Sequence, residues 1–243
     1  MTDTSTVIER LRFSSRPVMF RIGLPETPCS ILGTAFLAAF GRHIYLITAG
    51  HVAKGEQIFR SLFVFPSDDA TEPLYFTRWW PVEAFHNDEL DEDASDISTI
   101  RIDLSRIAGP DRGNSHLVQL NSPKDWCADR FISTFFLCGY PKIANSVDYI
   151  RREVNTAQFF LAGRYVRPDR YSGFTHELRV ENSLDLADFD GLSGSPVFSV
   201  APLSTDPTPK FCGMALRGSA KSGTVHFLEA GAIVSTLQGA EED

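Results

Sequence analysis

YLITAGHVAKG, residues 45–55, joins an apolar run to a histidine. The segment His43-Ile-Tyr-Leu-Ile-Thr-Ala49 reads as a buried strand, and Gly50 opens a turn directly before His51. A titratable ring at such an edge has two readings. It is either a hydrogen-bonded core histidine or a general base held in fixed geometry. Working outward, further apolar runs recur at 17–23, 30–39, 57–65, 74–82 and 97–102, then at 131–139, 157–166, 176–181, 195–200, 211–218 and 225–230. Gly, Pro, Asn and Asp clusters separate them, as hairpin loops require. Six short runs, a polar stretch from about 105 to 129, and six more predict an all-β protein in two halves, with a closing helix over 230–238. Residues 5–13 fit a short amphipathic helix through Val7, Ile8 and Leu11.

The composition narrows the function classes. A net charge of −8 argues against nucleic acid as the main partner, because phosphate binding needs a basic face. No stretch approaches the roughly eighteen uninterrupted apolar residues of a membrane span, so no membrane partner is expected. The N-terminal residues lack a positive region followed by an apolar one, which argues against a secretory signal and for the cytoplasm. Cys29, Cys127, Cys138 and Cys212 form no CxxC and no Cys/His pair at metal-ligand spacing. They read as mostly buried, reduced thiols, with two disulfides as the alternative. Neither metal nor cofactor is expected. The acidic run Asp88–Asp96 lacks the glycine and spacing of an EF-hand, and reads as a solvated loop rather than a calcium site.

The last member of that run differs from the rest. Asp96 stands directly before Ile97-Ser-Thr-Ile-Arg-Ile102, an alternating half-buried strand, and a carboxylate at that position needs a partner. A third element is Asp190-Gly-Leu-Ser-Gly-Ser-Pro-Val197. Glycines beside Ser193 allow a sharp turn that aims two backbone N–H groups at one point in front of the serine, as a tetrahedral oxyanion requires. Each signal is weak alone. TAGH, D-I-S-x-I and G-x-S-G-S-P in that order, separated by 45 and 97 residues, are specific together.

This constellation resembles the trypsin/chymotrypsin-type serine proteases from about Phe20 to Gln238, with Phe136–Pro141 and Gly213–Gly218 similar to pieces of that family's second barrel. The resemblance implies two six-stranded antiparallel β-barrels and a short C-terminal helix. Residues 1–120 would form the first barrel with His51 and Asp96, including a linker from about 105, and 121–243 the second with Ser193 and the helix. It further implies a serine endopeptidase that forms a covalent acyl-enzyme on a protein or peptide substrate. Ser193 is the nucleophile, His51 the general base, and Asp96 the group that fixes the His51 tautomer. The N–H groups of Gly191 and Ser193 form the oxyanion hole, Gly194 gives the turn its room, and Ser195 is structural where the family has glycine.

By the same resemblance Ala187, Asp188 and Phe189, with Leu216, Arg217 and Gly218, wall the primary specificity pocket, and Arg217 stands at its rim. Ala187 occupies the position where a trypsin-like member places Asp, so Lys/Arg preference is not expected. His226, on the strand closing the pocket floor, either accepts an acidic or polar side chain or is a hydrogen-bonded structural residue. His43, His86, His116 and His176 have no context and receive no role.

Three departures from the family stand out. Leu192 precedes the nucleophile where activated digestive members carry Asp. No cysteine flanks His51 or Ser193, and no cleavable Ile-Val-Gly-Gly segment is present. These resemble intracellular bacterial trypsin-like peptidases more than extracellular zymogens. Leu192 is expected to pack into the second barrel and order the loop, with a regulatory protein partner as the other means of ordering it. The rival reading from another class is a protease-like binding or sensor module without catalysis. An α/β-hydrolase would need Gly at Ser195, and the roughly fifty residues after Ser193 are too few for that fold. Cys138 and Cys212 lack any activating neighbour in the sequence and read as buried hydrophobes rather than nucleophiles.

Overall fold

The computed structural model describes residues 11–24, 29–68, 70, 72–81, 91–103, 105, 117–121, 125–151, 153–181, 186–201 and 208–242. The first half forms β1 (Ser15–Arg21), β2 (Cys29–Phe40), β3 (His43–Ala49), helix α1 (Glu56–Ser61), β4 (Leu62–Phe63), β5 (Phe76–Pro81), helix α2 (Glu92–Ser95), β6 (Ile97–Ile102) and β7 (Val118–Gln119). The second half forms β8 (Thr134–Gly139), β9 (Ser146–Asp148), β10 (Glu153–Asn155), β11 (Phe159–Pro168), β12 (Thr175–Val180), β13 (Pro196–Val200), β14 (Lys210–Ser219), β15 (Thr224–Glu229) and helix α3 (Ala230–Glu242). The protein is all-β apart from short helices and α3.

The two halves close differently. Strands β11, β12, β15, β14, β13 and β8 form a closed antiparallel barrel. The first half is a curled, seven-stranded half-barrel in the order β4-β1-β2-β3-β6-β5, with β7 added in parallel to β2. Two closed barrels are the sequence expectation; among the described residues the edge strands β4 and β5 do not pair. Beyond the expected strands, β9 and β10 add a small separate hairpin.

One strand prediction is corrected. The run 57–65 is helical over its first part, as α1, and extended only at β4. Ile58 and Phe59 both pack on the core. Consecutive residues point to opposite faces of a strand but can share a helix face, and Phe59 uses this to stack on Trp79 at 5.4 Å. The solvent side of α1 carries the Glu56–Arg60 pair one turn apart. Of the predicted 5–13 helix, residues 5–10, including Val7 and Ile8, lie outside the described residues, whereas Leu11 is buried in the core.

One buried cluster spans both halves. Phe36, Tyr45, Leu46 and Ile100 of the first sheet share one buried cluster with Phe136, Phe198, Phe211 and Met214 of the barrel. Phe36 meets Phe211 at a ring separation of 5.3 Å. The closing helix joins this cluster through Ile233 and Leu237, one turn apart on its apolar stripe. A second cluster, including Trp126, Phe135, Tyr165, Leu192 and Phe227, belongs to the barrel alone.

Candidate active site

Register brings His51 and Asp96 together. Ala49, the last residue of β3, pairs with Ile97, the first of β6, in an antiparallel ladder. Residues just after Ala49 therefore face those just before Ile97. His51 sits in a 3-10 turn (Gly50–Val52), and Asp96 closes α2. The Asp96 Oδ1 accepts the His51 backbone N–H at 2.8 Å, and Oδ2 lies 2.7 Å from ring Nδ1. Gly50 makes this approach feasible: a Cβ there would lie 3.0 Å from both Asp96 Oδ1 and the Ile97 nitrogen. The His51 side chain is half exposed, and its Nε2 has no partner among the described residues. An ionised carboxylate only accepts, so the ring proton sits on Nδ1 and Nε2 is left as the acceptor.

The serine loop is pinned from three sides. Thr34 of β2 donates its N–H to the Ser193 carbonyl at 3.0 Å and its hydroxyl to the Gly191 carbonyl at 2.8 Å. The Lys142 N–H donates to the Asp190 carbonyl, and the Gly194 N–H to the Ala215 carbonyl, both at 2.8 Å. Gly194 has φ +90° and sits so close to β2 and β3 that a Cβ would come 1.8 Å from the Thr34 carbonyl oxygen and 2.6 Å from Thr48 Oγ1. Only glycine fits there. Leu192 is buried in the barrel cluster, as its sequence position predicts. Among the described residues neither the Gly191 nor the Ser193 N–H donates to another group. The Ser193 hydroxyl donates to the Leu216 carbonyl at 2.7 Å.

The histidine and serine turns meet at Gly33. A Cβ at this position would lie 2.9 Å from Val52, the neighbour of His51, and 3.3 Å from the Ser193 carbonyl oxygen. The two turns thus flank one glycine of β2, on the shared core.

The pocket beside Ser193 is nearly filled. Phe189, Leu192, Ser193, Ala215, Arg217, Gly218 and Val225 enclose about 10 Å³, roughly the space of one water. The Phe189 ring lies 3.0 Å from where a Gly218 Cβ would stand. Of the residues expected to wall this pocket, Arg217, Gly218 and Phe189 line it. Ala187 and Asp188 are exposed, and Leu216 is buried with its carbonyl serving Ser193. His226 pairs across strands with Arg217, yet its Nδ1 lies 2.6 Å from Asp169 Oδ2. The same carboxylate takes Arg217 at 3.2 Å, and Arg217 also pairs with Asp93. His226 is thus hydrogen-bonded through Nδ1. The Asp169 side chain is 3% exposed. Burial works to raise its pKa, but the Tyr171 N–H, the His226 ring and the Arg217 guanidinium together hold it below the usual carboxylate value.

Several features have little or no signal in the sequence. Thr34 is the hub of the serine loop, and its hydroxyl also accepts the Tyr140 N–H at 2.9 Å. A polar residue inside an apolar strand run is its only trace. Asp169 lies in a polar turn that nothing singles out. The four cysteines are free. Burial pushes the Cys138 thiol up to about 12 and raises Cys212 as well, so neither is an activated nucleophile. Of the acidic run, 88–90 lie outside the described residues, as do His86 and His116, while Asp93 is engaged by Arg217. His176 is buried between Tyr165 and Glu229, within hydrogen-bond reach of both. No helix among the described residues is long and apolar enough to cross a membrane. No protein-family model and no curated protein sequence matches this chain.

Proposed function

We propose that this chain is a serine endopeptidase of the chymotrypsin-like double-barrel type, in which the curled first sheet stands for the first barrel. The observation that carries the reading is the Asp96 carboxylate, which grips His51 by both backbone N–H and ring Nδ1. Catalysis needs a base whose orientation and tautomer do not drift, and this two-point hold supplies both. The N–H groups of Gly191 and Ser193, on a loop that Thr34 keeps rigid, are the second support.

In this mechanism Ser193 Oγ rotates about χ1 away from the Leu216 carbonyl and gives its proton to His51 Nε2 as it attacks the scissile carbonyl. The tetrahedral oxyanion is held by these two N–H groups. His51 then returns the proton to the leaving amine, and water hydrolyses the acyl-enzyme by the same steps reversed. The substrate is a protein or peptide, no cofactor takes part, and the setting is cytoplasmic, in the manner of intracellular bacterial trypsin-like peptidases. Labelling by a fluorophosphonate probe tests the reading. Wild type should label and cleave peptides, and Ser193→Ala should lose both, by about 10⁴-fold or more in kcat. Cleavage that survives in purified Ser193→Ala sinks the assignment.

A second reading, a catalytically silent binding or sensor module, is favoured by one observation: Ser193 Oγ is spent on Leu216 rather than on His51. Failure of folded wild-type protein to react with the probe would select it.

A further inference from the structure

The end of β3 remote from His51 carries a feature that peptide hydrolysis does not use. Residues Phe40 and His43 pair across the two-residue turn Gly41-Arg42. One strand over, Ile44 pairs with Ile102 and Tyr45 with Arg101. On the far side of β6, the ladder with β5 pairs Phe76 with Ile102 and then Arg78 with Arg101, skipping Thr77. This bulge moves Arg78 rather than Thr77 opposite Arg101. Two arginines therefore stand directly across from one another, an arrangement that like-charge repulsion disfavours.

Arg42, His43, Arg78 and Arg101 surround a cleft of about 580 Å³ whose apolar lining comes from Ile44 and Ile102. That volume suits a small molecule. Among the described residues no carboxylate lies within ion-pair distance of Arg42, Arg78 or Arg101, and the Arg78 guanidinium lies over the Trp80 ring, 4.7 Å from its centroid, a stacking that leaves its N–H edge for an anion. Among the described residues two acids are nearby. Asp103, at the cleft edge, accepts from the Ser105 N–H and hydroxyl. Glu241 of α3 lies 3.4 Å from the Tyr45 hydroxyl. Burial first, then Arg101 and Arg42, lower the pKa of His43 against the opposing pull of Glu241. Arg42 Nε also donates to His43 Nε2 at 3.3 Å, a bond that needs the ring nitrogen unprotonated.

We propose that this cleft is a binding site for a small polyanion with at least two linked phosphate groups, seated on Arg42, Arg78 and Arg101. Guanidinium forks match phosphate oxygens two at a time. The three arginines come from the β2–β3 turn and from two neighbouring strands about 4.8 Å apart, so an anion with more than one phosphate can engage them together. A long nucleic acid is a poor occupant, because the chain carries −8 overall and the basic surface here is local. The site lies about 20 Å from His51 along β3 and is independent of the reading of Ser193.

Inorganic pyrophosphate at low ionic strength is the probe, with orthophosphate and sodium chloride at matched ionic strength as the other arms and Tm as the readout. At ten times its Kd, pyrophosphate should raise Tm by about 3–6 °C, with orthophosphate weaker and chloride inert. Arg101→Gln should remove the response while leaving the ligand-free Tm unchanged or higher, because it relieves the Arg78–Arg101 repulsion. Arg42→Gln should weaken the response, and Arg60→Gln, on the surface of α1, should not. The proposal is overturned if wild type does not respond, if chloride reproduces the shift, or if the shift survives in Arg101→Gln.

Discussion

The two carboxylate oxygens of Asp96 hold two different hydrogens of His51, the backbone N–H at 2.8 Å and the ring position Nδ1 at 2.7 Å. One residue therefore sets both where the histidine turn lies and how its ring is oriented.

Asp96→Asn should separate those two tasks. The amide oxygen can still accept the backbone N–H, but an NH2 group facing Nδ1 forces the ring to accept there and to carry its proton on Nε2. The turn survives and the base is lost. Peptidase activity should fall by about 10⁴-fold, with little change in Tm. Asp93→Asn, which only weakens the Arg217 pair at the pocket rim, should cost far less. Equal losses in the two variants would mean that the acidic segment acts collectively.

Gly194→Ala should be among the most damaging single substitutions. The position combines φ +90° with a Cβ site 1.8 Å from the Thr34 carbonyl oxygen, which belongs to a buried strand and cannot yield cheaply. A loss of about 3 kcal/mol or more is expected from the two effects. Gly173→Ala, where a Cβ meets nothing within 4 Å, is the control. Chemical denaturation of the two variants measures the difference.

Cleavage profiling on a peptide library should show a preference for Gly, Ala or Ser at the residue before the scissile bond, because about 10 Å³ leaves no room for a larger side chain. Phe189 occupies that space and is 4% exposed. Phe189→Ala should admit Leu, Met and Phe, at a stability cost of about 3–5 kcal/mol. An unchanged profile in a folded Phe189→Ala protein would place the primary pocket elsewhere.

Acid stability should depend on Asp169. Its native pKa lies below the ordinary value of 3.8, so the folded state favours the carboxylate more strongly than the unfolded chain does. The resulting stabilisation is complete above the unfolded value and is lost as pH falls through the lower native one. Tm of wild type minus Tm of Asp169→Asn should therefore be constant above about pH 5 and shrink from about pH 4 downward. A difference that stays constant to pH 2 would remove Asp169 from the acid transition.

Much of the strand ladder was legible in the sequence because its signals are local: period-two apolar runs, and turn residues between them. His43–Ala49 and Ile97–Ile102 are strands at the expected positions, and the apolar stripe of 230–238 is helical. The need for a partner at Asp96 was also local, since a carboxylate opening a buried strand cannot stand alone. From sequence, only the resemblance names that partner as His51; in the structure it follows from the Ala49–Ile97 register, which no single segment encodes. Other features were decided by tertiary packing alone. Ile58 and Phe59 needed one core face in common, and that made 56–61 a helix. Thr34 became the hub of the serine loop only when β2 was laid against it across more than 150 residues of chain. Phe189 filled the pocket by meeting Gly218 on another strand, and a bulge beyond Phe76 turned Arg78 towards Arg101. Periodicity says which residues face inward. Which of them touch depends on register, bulges and the joining of two sheets over one core, and those are set by the whole chain at once.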